Sequence, residues 1–150
     1  MTGRVYLGAC DWRHPAWCGS FYPDDMPEEW RLAFYSTQYS CVWLSRATWH
    51  AARDFEDWLG EVAAGFRFLL EGSRQDAAAV QEGLEGGETG PLLVADEDAG
   101  IIWFDVDTDL SELTARIKAS PASEPVYLIS RDANLDSLGQ VALLLELLGL

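Results

Sequence analysis

The sequence predicts an α/β domain: an open, mainly parallel sheet with flanking helices. Three observations predict it. Strand-like and helix-like patterns alternate about five times along the chain, which argues for a parallel sheet with helices packed on it. The 150 residues, 49% hydrophobic and 23% charged, have the size and composition of a single domain spanning 1–150. They are too few for a complete eight-unit βα barrel, which takes about 250 residues. No internal repeat or low-complexity linker divides the chain.

Residues 4–8 are a short β-prone run, read as the first strand, and an ordered loop crowded with Trp12, Trp17, Phe21 and Tyr22 follows it to Pro23. Pro27 suits a first helical turn, where its missing N–H costs nothing, and Glu28 and Glu29 favour the positive end of the helix. That helix is expected to run to about Tyr39, with Trp30 and Phe34, joined by Ala33 and Thr37, as its buried stripe. Residues 41–45 read as a second strand. Residues 50–61 read as a short helix carrying Phe55, Trp58, Leu59 and Val62, closed by Gly65. Residues 66–70 make the third strand, and 75–84 a helix ended by the Gly86, Gly87, Gly90 and Pro91 cluster. Two apolar runs, 92–95 and 101–105, are separated by an acidic turn and admit two readings, a hairpin or two separate strands. Asp109 caps the next helix, with Glu112 three residues on, and that helix ends near Ser120 and Pro121. Residues 125–130 are the last strand and 135–148 the last helix. Leu138, Val141, Leu144, Leu145, Leu147 and Leu148 make this helix apolar nearly all round, so it is expected to be buried on more than one side, as in a homodimer.

Charge narrows the function classes. Lys and Arg number 10 against 25 Asp and Glu, a net charge of −15, which repels nucleic acid and anionic membrane surfaces alike. The imbalance is concentrated in residues 76–150, with 3 basic and 15 acidic groups, against 7 and 10 in residues 1–75. The most apolar stretch, 141–148, is interrupted by Glu146 and falls short of the roughly 20 residues that span a bilayer. The first residues carry no targeting pattern, and three cysteines, Cys10, Cys18 and Cys41, do not suggest a disulfide framework. A cytoplasmic protein with reduced thiols is the expectation.

The first 70 residues contain a recognisable constellation. Leu7, Gly8 and Trp12 are followed by Trp17, Gly19, Phe21, Tyr22 and Pro23, a Trp-x-Gly-x-Phe-Tyr-Pro signature. Glu29, Trp30 and Tyr35, the segment 42–49 and the strand 66–70 continue the pattern. Together these residues resemble the DUF72, or YecE-like, family. The resemblance implies a TIM-barrel-type fold, here shortened, and no established activity. It fades beyond Glu71, while residues 126–132 and the Leu-rich helix look like the family's closing strand and helix, as if middle units were missing. The departures fall on polar positions. Trp43 and Ser45 stand where the family has a glutamate and an asparagine, and Glu71 replaces a basic residue. Asp11 stands at a family glycine, so the backbone of that turn is expected to differ.

In parallel sheets, ligands bind at the carboxyl ends of the strands. The first strand end offers Asp11, Arg13 and His14; the second Arg46, Trp49 and His50; the third Glu71; the fourth Asp96; the last Arg131. Both histidines lie there beside arginines and carboxylates, material for anion capture or acid–base chemistry. Polar residues are also ordinary at strand ends. Asp11, His14, Arg46, His50 and Glu71 are expected around one concavity. No residue is assigned a catalytic role. Cys10, His14 and Cys18 do not make a zinc site, because Pro15 disrupts the helix their spacing needs and no fourth ligand is evident. Asp105, Asp107 and Asp109 resemble a calcium loop but lack its Gly and Glu, and the 86–90 loop lacks the Lys of a phosphate cradle. No motif calls for a metal or a cofactor. The reading is a noncatalytic or small-molecule-binding protein with a degenerate barrel site, the alternative being a small-substrate hydrolase built on the strand-end histidines and carboxylates.

Overall fold

The structure, a computed structural model, describes residues 5–51, 58, 60–63, 65–73, 75, 92–95, 101–120 and 125–149. Six strands form its sheet: β1 (Val5–Cys10), β2 (Cys41–Leu44), β3 (Arg67–Glu71), β4 (Leu92–Ala95), β5 (Ile101–Phe104) and β6 (Val126–Ser130). The named helices are α1 (Glu28–Gln38), α2 (Arg46–Ala51), α3 (Leu110–Ala119) and α4 (Leu135–Leu147), and residues 58, 60 and 61 are also helical. The strand order is β4-β3-β2-β1-β6-β5, and all five ladders are parallel. The runs 92–95 and 101–104 are therefore two separate strands at opposite edges of the sheet; the hairpin reading fails.

This order is cyclic. Each strand pairs with the next in sequence, and β6 returns to β1, leaving one seam between β4 and β5. Six Cα steps join Ala95 to Ile101, a reach of about 20–22 Å at most. A flat sheet would set its two edges about 24 Å apart before the chain had returned along the strand direction. The sheet therefore curls, which brings β4 and β5 towards each other.

Burial follows the curl. Leu7, Ala9, Val42, Leu44, Phe68, Leu70, Ile102, Phe104 and Leu128 face one way and pack against Leu32 and Tyr35 of α1, Leu113 and Ile117 of α3, and Leu138, Val141 and Leu145 of α4. The alternate residues form a second, inner cluster of Tyr6, Cys41, Leu69, Tyr127 and Ile129, with Trp43 and Trp103 against it. Among the described residues, the helices that contribute to the core all join the first cluster, as in the single-sided winding of a barrel. Two contacts cross the inner face between strands three places apart. Trp43 of β2 meets Trp103 of β5, and Arg67 of β3 donates to the Tyr127 hydroxyl of β6 at 2.7 Å.

The signature loop closes over the carboxyl end of β1. The Tyr22 hydroxyl donates to the Trp12 carbonyl at 2.6 Å, and the Trp17 indole N–H to the Ala133 carbonyl at 3.0 Å, tying the loop to the residues before α4. Tyr35, fully buried, accepts from the Ala9 N–H at 2.9 Å and donates to the Cys41 carbonyl at 2.7 Å. Gly8 makes room for this junction, since a Cβ there would collide with the Cys41 carbonyl oxygen.

Several sequence expectations change. The buried face of α1 is Leu32, Tyr35 and Ser36, while Trp30 is 62% exposed. Trp30 lies two residues before Leu32, about 200° around the helix, so its size could not bring it inward. A helical segment, α2, already starts at Arg46, ahead of the helix expected at 50–61, and Ser45 caps it: its hydroxyl accepts from the Thr48 N–H at 3.3 Å. Asp109 caps α3 through the Ser111 N–H at 2.8 Å. The last helix buries Leu138, Val141 and Leu145 but leaves Leu143 56% and Leu147 78% exposed. The helix expected at 75–84 lies outside the described residues except for residue 75, as does Asp96.

Candidate functional site

At the end of β1, Asp11 adopts φ 61°, the left-handed conformation that a glycine takes freely and aspartate tolerates better than most residues. The turn expected to differ from a glycine turn thus keeps glycine-like backbone. The Asp11 carboxylate explains why: one oxygen accepts from the N–H groups of Trp12 at 2.6 Å and Arg13 at 2.9 Å. The Arg13 guanidinium closes on it with two bonds, Nε at 3.1 Å and Nη2 at 3.0 Å. Burial pushes the Asp11 carboxyl upward, but these bonds and the Arg13 charge overcome it and hold the group below the usual aspartate range. Arg13 lies over the Trp12 ring at 4.9 Å and the Trp58 ring at 5.8 Å.

His14 turns away from this pair. Its ring rests on Trp17, with 4.5 Å between centroids, and its Nε2 faces the carbonyl oxygens of Cys10 and Asp11. Two acceptors fix Nε2 as a protonated nitrogen, so the ring donates to backbone.

At the ends of β2 and β3, Glu71 serves the backbone of α2. Its carboxylate accepts from the Arg46 N–H at 3.0 Å, and its carbonyl accepts from the buried Trp49 indole at 2.8 Å. A carboxylate suits a helix N-terminus, where N–H groups lack intrahelical acceptors. The His50 side chain lies outside the described residues.

At the inner mouth, the Arg131 guanidinium lies over Trp103 at 5.4 Å, and Trp43 meets Trp103 edge-on at 5.1 Å. Burial raises the nearby Cys10 thiol to about 11, with Arg131 pulling the other way. Asp132 braces the loop, accepting from Ser130, Asn134 and Val106.

The expected residues thus fall into three groups: Asp11 with Arg13, and His14 turned towards Trp17, at β1; Arg46 with Trp49 and Glu71 beside α2; and Arg131 at the mouth. Among the described residues no cluster of His, Cys, Asp and Glu is arranged to hold a metal. Sequence reasoning missed Trp103, although its i, i+2 relation to Ile101 puts both on one face of β5. It also missed a cavity of about 340 Å³ lined by Trp12, Arg13, Glu28, Glu29, Leu32, Trp58 and Glu61. Trp12 and Trp58 cross there edge-to-face at 4.8 Å.

Residues 6–78 match the family described as "Protein of unknown function DUF72". The crystal structure of a DUF72 family protein from Thermotoga maritima superposes with a TM-score of 0.54 at 12% identity, covering 94% of this chain and 99% of that one. At that identity the likeness speaks for the fold. No curated protein matches.

Proposed function

We propose, from the match of residues 6–78 to DUF72, that this chain is a noncatalytic member of this family of unknown function, acting by binding. The observation that carries the reading is the Trp43–Trp103 contact. Trp43 stands where the resemblance places a glutamate, so an indole lies on the inner face of the curled sheet where relatives would hold a titratable group. The other strand-end polar groups support the same reading. The Asp11 carboxylate is occupied by two backbone N–H groups and Arg13, His14 donates to backbone carbonyls, and Glu71 caps α2. A general base needs a lone pair aimed at a substrate proton; Asp11 and Glu71 direct carboxylate oxygens to backbone N–H groups, and the His14 ring is held by its Nε2–H against the loop backbone. The hydrolase alternative has no observation in its favour at these residues.

The test uses 4-nitrophenyl acetate and 4-nitrophenyl phosphate with the wild-type chain and His14→Ala. The expected result is the buffer rate for both proteins. A rate well above buffer that disappears in His14→Ala would overturn the reading.

Two further parts of the proposal concern setting. No described helix is long and apolar enough to cross a membrane, and three free thiols are consistent with a reducing, cytoplasmic location. The outward pair Leu143 and Leu147, one helical turn apart on α4, supports a homodimer in which this face meets its own copy about a twofold axis.

A further inference from the structure

We infer that the inner mouth, at the carboxyl ends of β1, β2, β5 and β6, binds a small aromatic carboxylate, with Arg131 taking its carboxylate and Trp43 and Trp103 its ring. The inference deepens the binding reading above and rests on it.

Room comes from a change of packing along the inner face. Tyr6, Cys41, Leu69, Tyr127 and Ile129 are buried there and floor the hollow, as side chains fill the inside of a small barrel. Cys10 is the last residue of β1, and Trp43 and Trp103 are each one residue from the end of their strands. These three share the inner face but are only half-buried. Two indoles and a thiol thus stand above a closed floor, with apolar surface still open to solvent. Burial keeps the Cys10 thiol protonated near neutrality, so it does not repel an anion.

Arg131 sets the sign of the ligand. The chain carries a net charge of −15, yet this exposed guanidinium has no carboxylate partner among the described residues. The carboxylates at these strand ends are engaged elsewhere. Asp11 binds Arg13 through both oxygens, and Asp132 accepts from Ser130, Asn134 and Val106. The contact with Trp103, at 5.4 Å, leaves the donors of Arg131 unspent. Attraction to a ring acts through the charge, whereas the N–H groups lie in the guanidinium plane as a fork that matches a carboxylate.

Cations are refused by Arg131, and a polyanion by the net charge. A bare oxyanion leaves the two indoles unused. A flat ring bearing one carboxylate uses both features, lying against Trp43 or Trp103 while its charge meets the fork.

The test titrates benzoate into the chain, read by calorimetry and tryptophan fluorescence at about 0.15 M salt, where charges beyond about 8 Å are screened. Saturable binding at about 1 mM or tighter is expected, weakened about tenfold or more by Arg131→Gln and less by Arg131→Lys, which keeps the charge without the fork. Benzamide, a neutral isostere, is expected to bind about tenfold more weakly than benzoate. Arg116→Gln removes the same charge from an exposed position on α3 and is expected to change affinity less than about twofold. Absence of saturable benzoate binding, benzamide binding as tightly as benzoate, or equal weakening by Arg131→Gln and Arg116→Gln overturns the proposal. Failure here leaves the noncatalytic reading standing, because the chromogenic substrates test that separately.

Discussion

Trp43 and Trp103 touch edge-to-face, 5.1 Å between ring centroids, although their strands stand three places apart in the sheet. The contact spans the hollow side of the curl and requires it. Edge-to-face aromatic pairs contribute about 0.5–1.5 kcal/mol beyond the area they bury. A double-mutant cycle of Trp43→Ala and Trp103→Ala in urea is therefore expected to give a coupling energy of about 1 kcal/mol. Strict additivity of the two substitutions would mean that the rings are apart and the sheet flatter.

Asp11 combines an unusual backbone with an occupied carboxylate. Asp11→Ala keeps the left-handed demand, loses the bonds to Trp12 and Arg13, and is expected to cost about 2–3 kcal/mol by chemical denaturation. Asp11→Gly relieves the backbone and is expected to cost less. A glycine variant less stable than the alanine variant would contradict the φ assignment.

The same carboxyl predicts a pH dependence. Its folded pKa lies below the unfolded value, so its contribution is fully present above about pH 4 and is lost as pH falls through the folded pKa. The stability gap between wild type and Asp11→Asn is expected to be constant near neutrality and to shrink below pH 4. A gap unchanged down to pH 2 would show that ionisation of Asp11 is immaterial.

Burial separates the three thiols. Cys41 is buried and pushed far above the ordinary thiol range, Cys10 is raised to about 11, and Cys18 is exposed. Thiolate is the reactive form, so at pH 8 iodoacetamide is expected to label Cys18 first by a wide margin, with all three labelled in urea. Rapid labelling of Cys10 in the folded chain would contradict its surroundings.

The proposed dimer gives a doubled mass by light scattering at micromolar concentration, against 16.7 kDa for one chain. Leu143→Glu with Leu147→Glu is expected to return the mass to that of one chain without loss of helicity, since both residues point outward. A wild-type mass of 16.7 kDa across the elution peak rejects the interface.

The sequence revealed what local pattern controls. Alternating periodicities and the 12–23 signature located a parallel α/β sheet, and Asp109 marked the start of α3. It misled where size was weighed above angular position: Trp30 is large but out of phase with Leu32 and Tyr35. At Asp11 it read a lost glycine as a changed backbone, because the compensating bonds come from the side chain itself. The candidate site was legible as a set of strand ends but not as partnerships. Whether Glu71 faces a ligand or the Arg46 N–H depends on how α2 sits against β3, a tertiary relation with no local trace. The Trp12–Trp58 cavity is similar, joining residues 46 apart in sequence.

The β1–β6 ladder has a consequence for synthesis on the ribosome. Residues 5–9 pair with residues 126–130, so one side of β1 has no partner until more than a hundred further residues have emerged. The aromatic signature and β1–β3 can gather early, but they do so with a bare hydrogen-bonding edge and an uncovered inner face. Such long-range closure slows folding and lengthens the exposure of edges that recruit other chains. A nascent chain halted before Val126 would thus remain a target for chaperones, and release from them would coincide with docking of the last strand.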